Sequence, residues 1–209
     1  MDDMQLLDNF FLKHGEKVND SHSATNLMYI QIQLLSAPDI HEDLQSQISG
    51  TIFYNQPERE NEMLVERSEI EFATGEQLIR FMRRGFDPLN QNALMKRALE
   101  LEYEIISDVL KRYKTSLNDL FIEAAVKFLS FCSFEIAEEL TRIYDDIRSP
   151  YAKCMALVVF GFQADETYVT WLIDKYEELK RLYPSEDYHD GAYFALLGIR
   201  DRLNHKTFD

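Results

Sequence analysis

Apolar residues in the stretch "ALVVFGFQADETYVTWLIDKYEELKRLYPSEDYHDGAYFALLGIRDRL", residues 156–203, recur at intervals of three and four. That spacing lines one face of an α-helix, whereas a half-buried strand alternates at two. Val169, Leu172, Ile173, Tyr176 and Leu179 form one such stripe, with Asp165 placed to cap its start and Pro184 to close its end. Upstream, Leu94, Ala98, Leu101, Ile105 and Val109 predict one long helix over 89–114. A shorter helix is predicted after Thr74, a plausible N-cap, with acid in its first turn, bases in its last and a stop before Gly85 and Pro88. Towards the N-terminus the pattern weakens. Leu27, Ile30 and Leu34 have helical spacing, yet "YIQIQ" and "SEIEF" alternate as strands do, so residues 24–73 are open to helices or to short strands. "NQPEREN", residues 55–61, is polar, contains Pro57 and reads as a linker. The first 22 residues predict a helix ending near His14 and then a loop.

Sliding the chain against itself shows a repeat. A shift of 32 places Ala124 on Ala156, Phe128 on Phe160, Leu140 on Leu172 and Tyr144 on Tyr176. A shift of 37 places Gly161 on Gly198, with Phe160 on Leu197 and Phe162 on Ile199, so a third copy of the first helix begins near His189. A period in the thirties built from two helices marks an α-solenoid, whose pairs bury their apolar faces by stacking on neighbours. The expected antiparallel pairs are 117–132 with 134–147 and 150–163 with 166–183, and a glycine at 161 and 198 reads as a close-packing or helix-end residue. "ALVVFGFQADETYVTWLIDKYEEL" resembles a HEAT-like (armadillo-type) repeat, and the resemblance covers roughly residues 117–203. It implies an all-α fold: a short α-solenoid of antiparallel HEAT-like helix pairs with a less regular helical N-terminal part. On that view residues 1–57 are an N-terminal helical segment and 58–209 a repeat domain, the two either separate or continuous. The family's members serve mainly as scaffolds and binding surfaces, with the second helices lining a concave face.

Composition narrows the function. The 209 residues are 45% apolar, ample for a core, but 37 acids against 22 bases leave a formal charge of −15. Such a chain repels phosphate backbones and anionic lipid, which argues against nucleic acid and membrane as partners. Cys132 and Cys154 lack metal-site spacing and fit reduced cytoplasmic thiols, and an acidic start with no long apolar run predicts a soluble intracellular protein.

Chemistry-bearing motifs are few. The chain has no Gly-rich phosphate loop, no GxSxG and no HExxH. Glu186 and His189 form one Glu-x-x-His, half of a di-iron ligand pattern, without a second copy, and His189 reads as a capping or surface residue. The cysteines, in "FLSFCSF" and "AKCMAL", read as small apolar fillers. No catalytic residue, metal ligand or cofactor is therefore predicted. Arg80, Arg83 and Arg84, with Lys96 and Arg97 beyond, are the one place where an anion is expected to be held, or else a solvated helix end complementing the dipole.

One strip stands out. Tyr168, Trp171, Asp174, Lys175 and Glu178 share a helix with the stripe above, and Glu135, Glu139 and Arg142 take the matching place one repeat earlier. They predict an acidic groove with an aromatic anchor, of the kind that dominates binding energy. Equally, Tyr168 and Trp171 can simply pack between repeats. The expected function is non-enzymatic protein–protein interaction through an acidic concave surface, with a partner that has a basic surface, as for a bacterial immunity or inhibitor-type protein. The alternative is an enzyme acting on a small molecule or damaged nucleic acid in the groove.

Overall fold

The computed structural model describes residues 3–15, 24–35, 57–86, 88–133 and 135–206, and these are all-helical. The helices are α1 Asp3–His14, α2 Ala24–Leu35, α3 Pro57–Glu71, α4 Gly75–Phe81, α5 Pro88–Glu100, α6 Glu102–Tyr113, α7 Asp119–Phe131, α8 Ile136–Ile143, α9 Pro150–Gln163, α10 Val169–Leu182 and α11 Asp190–Lys206. Short 3₁₀ turns extend α8 through Asp146 and precede α10 from Glu166.

Local chemistry sets the starts. Thr74 and Gln77 form a reciprocal capping box before α4. Asn118 accepts from the Phe121 N–H at 2.7 Å ahead of α7, and Ser149 accepts from Ala152 at 3.2 Å ahead of α9, which has Pro150 in its first turn. Asp165 caps the 3₁₀ turn before α10 through the Thr167 N–H, 3.0 Å away.

Three expectations are corrected and one open alternative is decided. The long helix over 89–114 breaks at Leu101, which leaves the helical region at φ −110°, ψ 22°. The next residue, Glu102, is buried and accepts from the Ser133 N–H at 3.0 Å and from the Ser133 hydroxyl. The break lets α5 pack on α3 and α7 while α6 packs on α4 and α7. Pro57, read as part of a linker, instead opens α3, since its fixed φ and missing N–H suit a first helical turn; residues 55 and 56 lie outside the described residues, as does the stretch 36–54 of the predicted N-terminal segment. "YIQIQ" lies in α2, and "SEIEF" lies in α3 save for Phe72 just past its end. In α2, Leu27 and Ile30 are exposed; Met28, Tyr29 and Ile32 face the core, because the Thr25 hydroxyl meets Cys154 Sγ at 3.2 Å and Tyr29 stacks on Phe194 at 5.1 Å.

α3, α5, α7, α9 and α11 touch in succession, and α10 packs against α11 while α8 packs against α9. α9 is the centre: Cys154 to Gly161 is buried without a gap, as expected of a helix apolar all round. Its contact with α11 is the closest among the described residues. A Cβ added to Gly191 would overlap the Cys154 carbonyl, and one on Gly198 would overlap the Gly161 carbonyl. Each pair is separated by the same 37 positions, so α9 and α11 run parallel, and both glycines serve close approach. Gln163 likewise reaches back to α7, donating to Ser130 O at 2.9 Å and Cys132 O at 3.0 Å.

α1 and α2 do not extend this row. α1 lies on α10 and α11, with Phe10 edge-on to Tyr176 at 4.9 Å and Phe11 edge-on to Tyr193 at 5.4 Å; α2 crosses α7, α9 and α11. His14 closes α1 in a buried position, with Nε2 3.4 Å from Glu177 Oε1 and Nδ1 3.4 Å from the Tyr176 hydroxyl.

Substituting either contact glycine should test the seam. Alanine normally improves a helix by up to about 1 kcal/mol, but here the methyl meets backbone, so Gly191→Ala and Gly198→Ala should each destabilise by about 1–3 kcal/mol or more in chemical denaturation. A stabilised variant would show that α9 and α11 do not approach so closely. A second expectation concerns His14. Burial lowers its pKa from 6.5, with Lys13 and Lys180 acting the same way and Glu177 opposing them. Below pH 6.5 the unfolded chain then binds the proton that the docked helix resists, so stability should fall as pH drops through the lowered folded value. Melting curves of the wild type and of His14→Phe should converge on different acid slopes, the variant having the shallower one; equal slopes would place the titration elsewhere.

Candidate functional site

The strip expected on α8 and α10 is assembled at their junction. Tyr168, at the start of α10, feels Glu138, Asp165 and Glu135; burial first and these carboxylates next push its hydroxyl pKa upward, while Arg142 opposes them. Lys175 Nζ lies 3.2 Å from Asp145, just past α8, and 2.8 Å from Glu178. Burial works to lower its pKa, but hydrogen bonds to those two carboxylates outweigh it, and the net displacement is upward. The same ammonium sits 5.0 Å above the Tyr144 ring and 5.8 Å above that of Trp171. Arg142 is gripped by Glu138 and Glu139.

Trp171 is half-buried. Its ring meets Tyr144 edge-on at 5.3 Å and lies tilted on Phe160 at 4.9 Å, and Tyr168 meets Phe160 edge-on at 5.4 Å. The aromatic pair therefore packs into the helix junction and leaves part of its surface outside. Glu135 and Asp174 are exposed, Glu139 and Glu178 half-buried. Asp145, Glu138 and Tyr144 adjoin the strip, and the sequence reading did not place them in it. The Glu138–Arg142 spacing of four was the available signal, whereas Asp145–Lys175 needs the tertiary fold.

Other expected chemistry is redistributed. His189 is not on the surface: it is 8% exposed and edge-on to Tyr176 at 5.0 Å. Among the described residues, Asp187, His189 and Asp190 form a set whose ligand atoms lie within 4.8 Å of one another, and Glu186 is not part of it. Cys132 and Cys154 are buried and their thiol pKa values are each pushed up to about 12, chiefly by burial, so neither is an activated nucleophile. In the arginine cluster, Arg80 pairs with Glu76, and Arg84 reaches Glu66 at 3.6 Å and Glu69 at 4.0 Å while its guanidinium covers Phe86 at 4.9 Å.

Trp171 is the chain's single tryptophan, so its fluorescence reports this junction alone. Surrounding carboxylates should draw a cationic quencher and repel an anionic one. Caesium should quench severalfold better than iodide when each is referred to free tryptophan, and the difference should shrink at high salt. Equal quenching would put the ring outside the acidic field.

Neither protein-family models, curated proteins nor solved structures give a match to this chain.

Proposed function

We propose that the chain is a cytoplasmic, non-enzymatic interaction protein: a short HEAT-like α-solenoid that presents an acidic helical face to a protein with a basic surface. The charge of the α8–α10 side carries this reading. Residues 135–146 and 165–178 hold ten carboxylates against two bases, Arg142 and Lys175. Both bases are already held by carboxylates of the same face, and although Lys114 reaches Asp146 and Lys13 reaches Glu177 from other helices, acids still outnumber the bases around them. A field of that sign speeds encounter with a basic surface and repels phosphate backbones and anionic lipid.

The stacked arrangement is supported by the parallel α9–α11 contact at the 37-residue offset, with α10 between them in sequence. Two buried thiols without a disulfide fit a reducing compartment, and no helix among the described residues is long and apolar enough to cross a membrane. The specific form of the reading is a bacterial immunity or inhibitor-type protein that neutralises a basic enzyme.

Affinity capture from the native host at physiological salt should recover a partner of basic isoelectric point. Reversing Glu135 and Asp174 to Lys, which are exposed and outside the ion pairs above, should slow association severalfold and reduce its salt dependence with the melting temperature unchanged. Capture that is indifferent to both salt and these reversals would remove the acidic face from the interaction.

A further inference from the structure

The connection between α10 and α11 gathers three side chains of metal-binding type. Among the described residues, Asp187, His189 and Asp190 each offer a ligand atom, and these atoms lie within 4.8 Å of one another. The backbone makes the cluster. The Asp190 N–H donates to the Asp187 carbonyl at 2.9 Å, which closes the turn and brings the two carboxylates to one side of it, and the Tyr193 N–H donates to the His189 carbonyl at 3.3 Å, where α11 begins.

Burial distinguishes this turn from an ordinary acidic surface. Asp190 is 1% exposed and His189 8%, while Asp187 faces solvent. The His189 ring stands edge-on to Tyr176 at 5.0 Å, and Phe10 of α1 meets the same tyrosine edge-on at 4.9 Å. Gly191, next in the chain, lies against the Cys154 carbonyl, so the α9–α11 seam fixes the backbone that carries the ligands.

One distance points to an ion. His189 Nε2 and Asp190 Oδ1 are 3.7 Å apart, beyond hydrogen-bonding reach. Two ligands on one zinc ion, each about 2.1 Å from it at a tetrahedral angle, stand about 3.4 Å apart, so this pair needs to close only slightly. Asp187 supplies a third ligand from the open side, where water completes the shell. Roughly half a unit of positive charge at the α11 N-terminus opposes a cation, but two carboxylates outweigh it. Imidazole beside carboxylate favours a borderline transition ion over Ca²⁺ or Mg²⁺, which take oxygen ligands.

We propose that Asp187, His189 and Asp190 bind a divalent transition ion of the zinc type. None of the three belongs to the acidic strip on α8 and α10, so the site stands or falls independently of the interaction reading.

Zn²⁺ titrated into the full isotopically labelled chain, stripped beforehand with chelator, tests this by nuclear magnetic resonance of the histidine rings. A single Zn²⁺ should move the His189 ring nitrogens and the amides of residues 187–191, whereas Mg²⁺ and Ca²⁺ at the same concentration should leave the ring unmoved. Because Asp187 is exposed, Asp187→Asn should keep the melting temperature of the metal-free chain. It should weaken Zn²⁺ binding at least about tenfold, the lower end of the loss seen when even a partner of a metal ligand is removed. Glu186→Gln, which removes a neighbouring charge outside the set, should leave Zn²⁺ affinity nearly unchanged. No binding, shifts centred on another histidine, an equal response to Ca²⁺, unchanged affinity in Asp187→Asn, or an equal loss in Glu186→Gln would each overturn the proposal.

Discussion

The backbone contact between α9 and α11 is the constraint on which the other positions rest. At Gly191 and again at Gly198 the two helices leave no room for a methyl group, two turns apart and in parallel. Close approach of that kind shares buried surface among few side chains, so the remaining apolar faces of both helices must be covered from outside. α10 covers α11, α7 covers α9, and α2 lies across α7, α9 and α11. Arg202 fastens the seam at its far end by donating to the carbonyl of Gly161, in the last turn of α9, and to that of Ala164 just past it.

What lies on the surface follows from that burial. Once Tyr144, Phe160 and Trp171 fill the junction of α8 and α10, the positions between them face water, and most of those are acids. Lys175 is the exception: its stem runs over two aromatic rings and its head is held between Asp145 and Glu178. The junction thus combines a packed aromatic interior with a negatively charged rim, and Trp171 belongs to both.

The helical nature of the chain and the offset of 37 are legible in the sequence because glycine at a helix–helix crossing leaves few substitutes; Gly161 and Gly198 align in the self-match and touch in the fold. The helix starts at Thr74 and Asp165 are legible for a similar reason, since a cap is a local event. The break at Leu101 is not, because an unbroken apolar stripe runs through it and its apparent cause, the hold of Ser133 on Glu102, comes from 31 residues away. Nor is the buried face of α2, whose sequence is apolar on several sides and takes its orientation from Cys154 and Phe194. Of the acidic strip, the charges were readable one helix at a time, but the pairing of Lys175 with Asp145 and the insertion of Trp171 between Tyr144 and Phe160 depend on helices being brought together.

The docking of α1 and α2 against the far end of the chain bears on the order of events during synthesis. Leu7, Phe10, Phe11 and Ile32 find their partners on α9, α10 and α11, the last of which begins only at Asp190. Until α11 is made their native cover is incomplete, and completing it is a long-range closure. Chains with such closures fold slowly and expose sticky intermediates meanwhile. A ribosome-bound chain halted before α11 emerges would therefore hold its first two helices only partly covered, with apolar side chains open to other contacts.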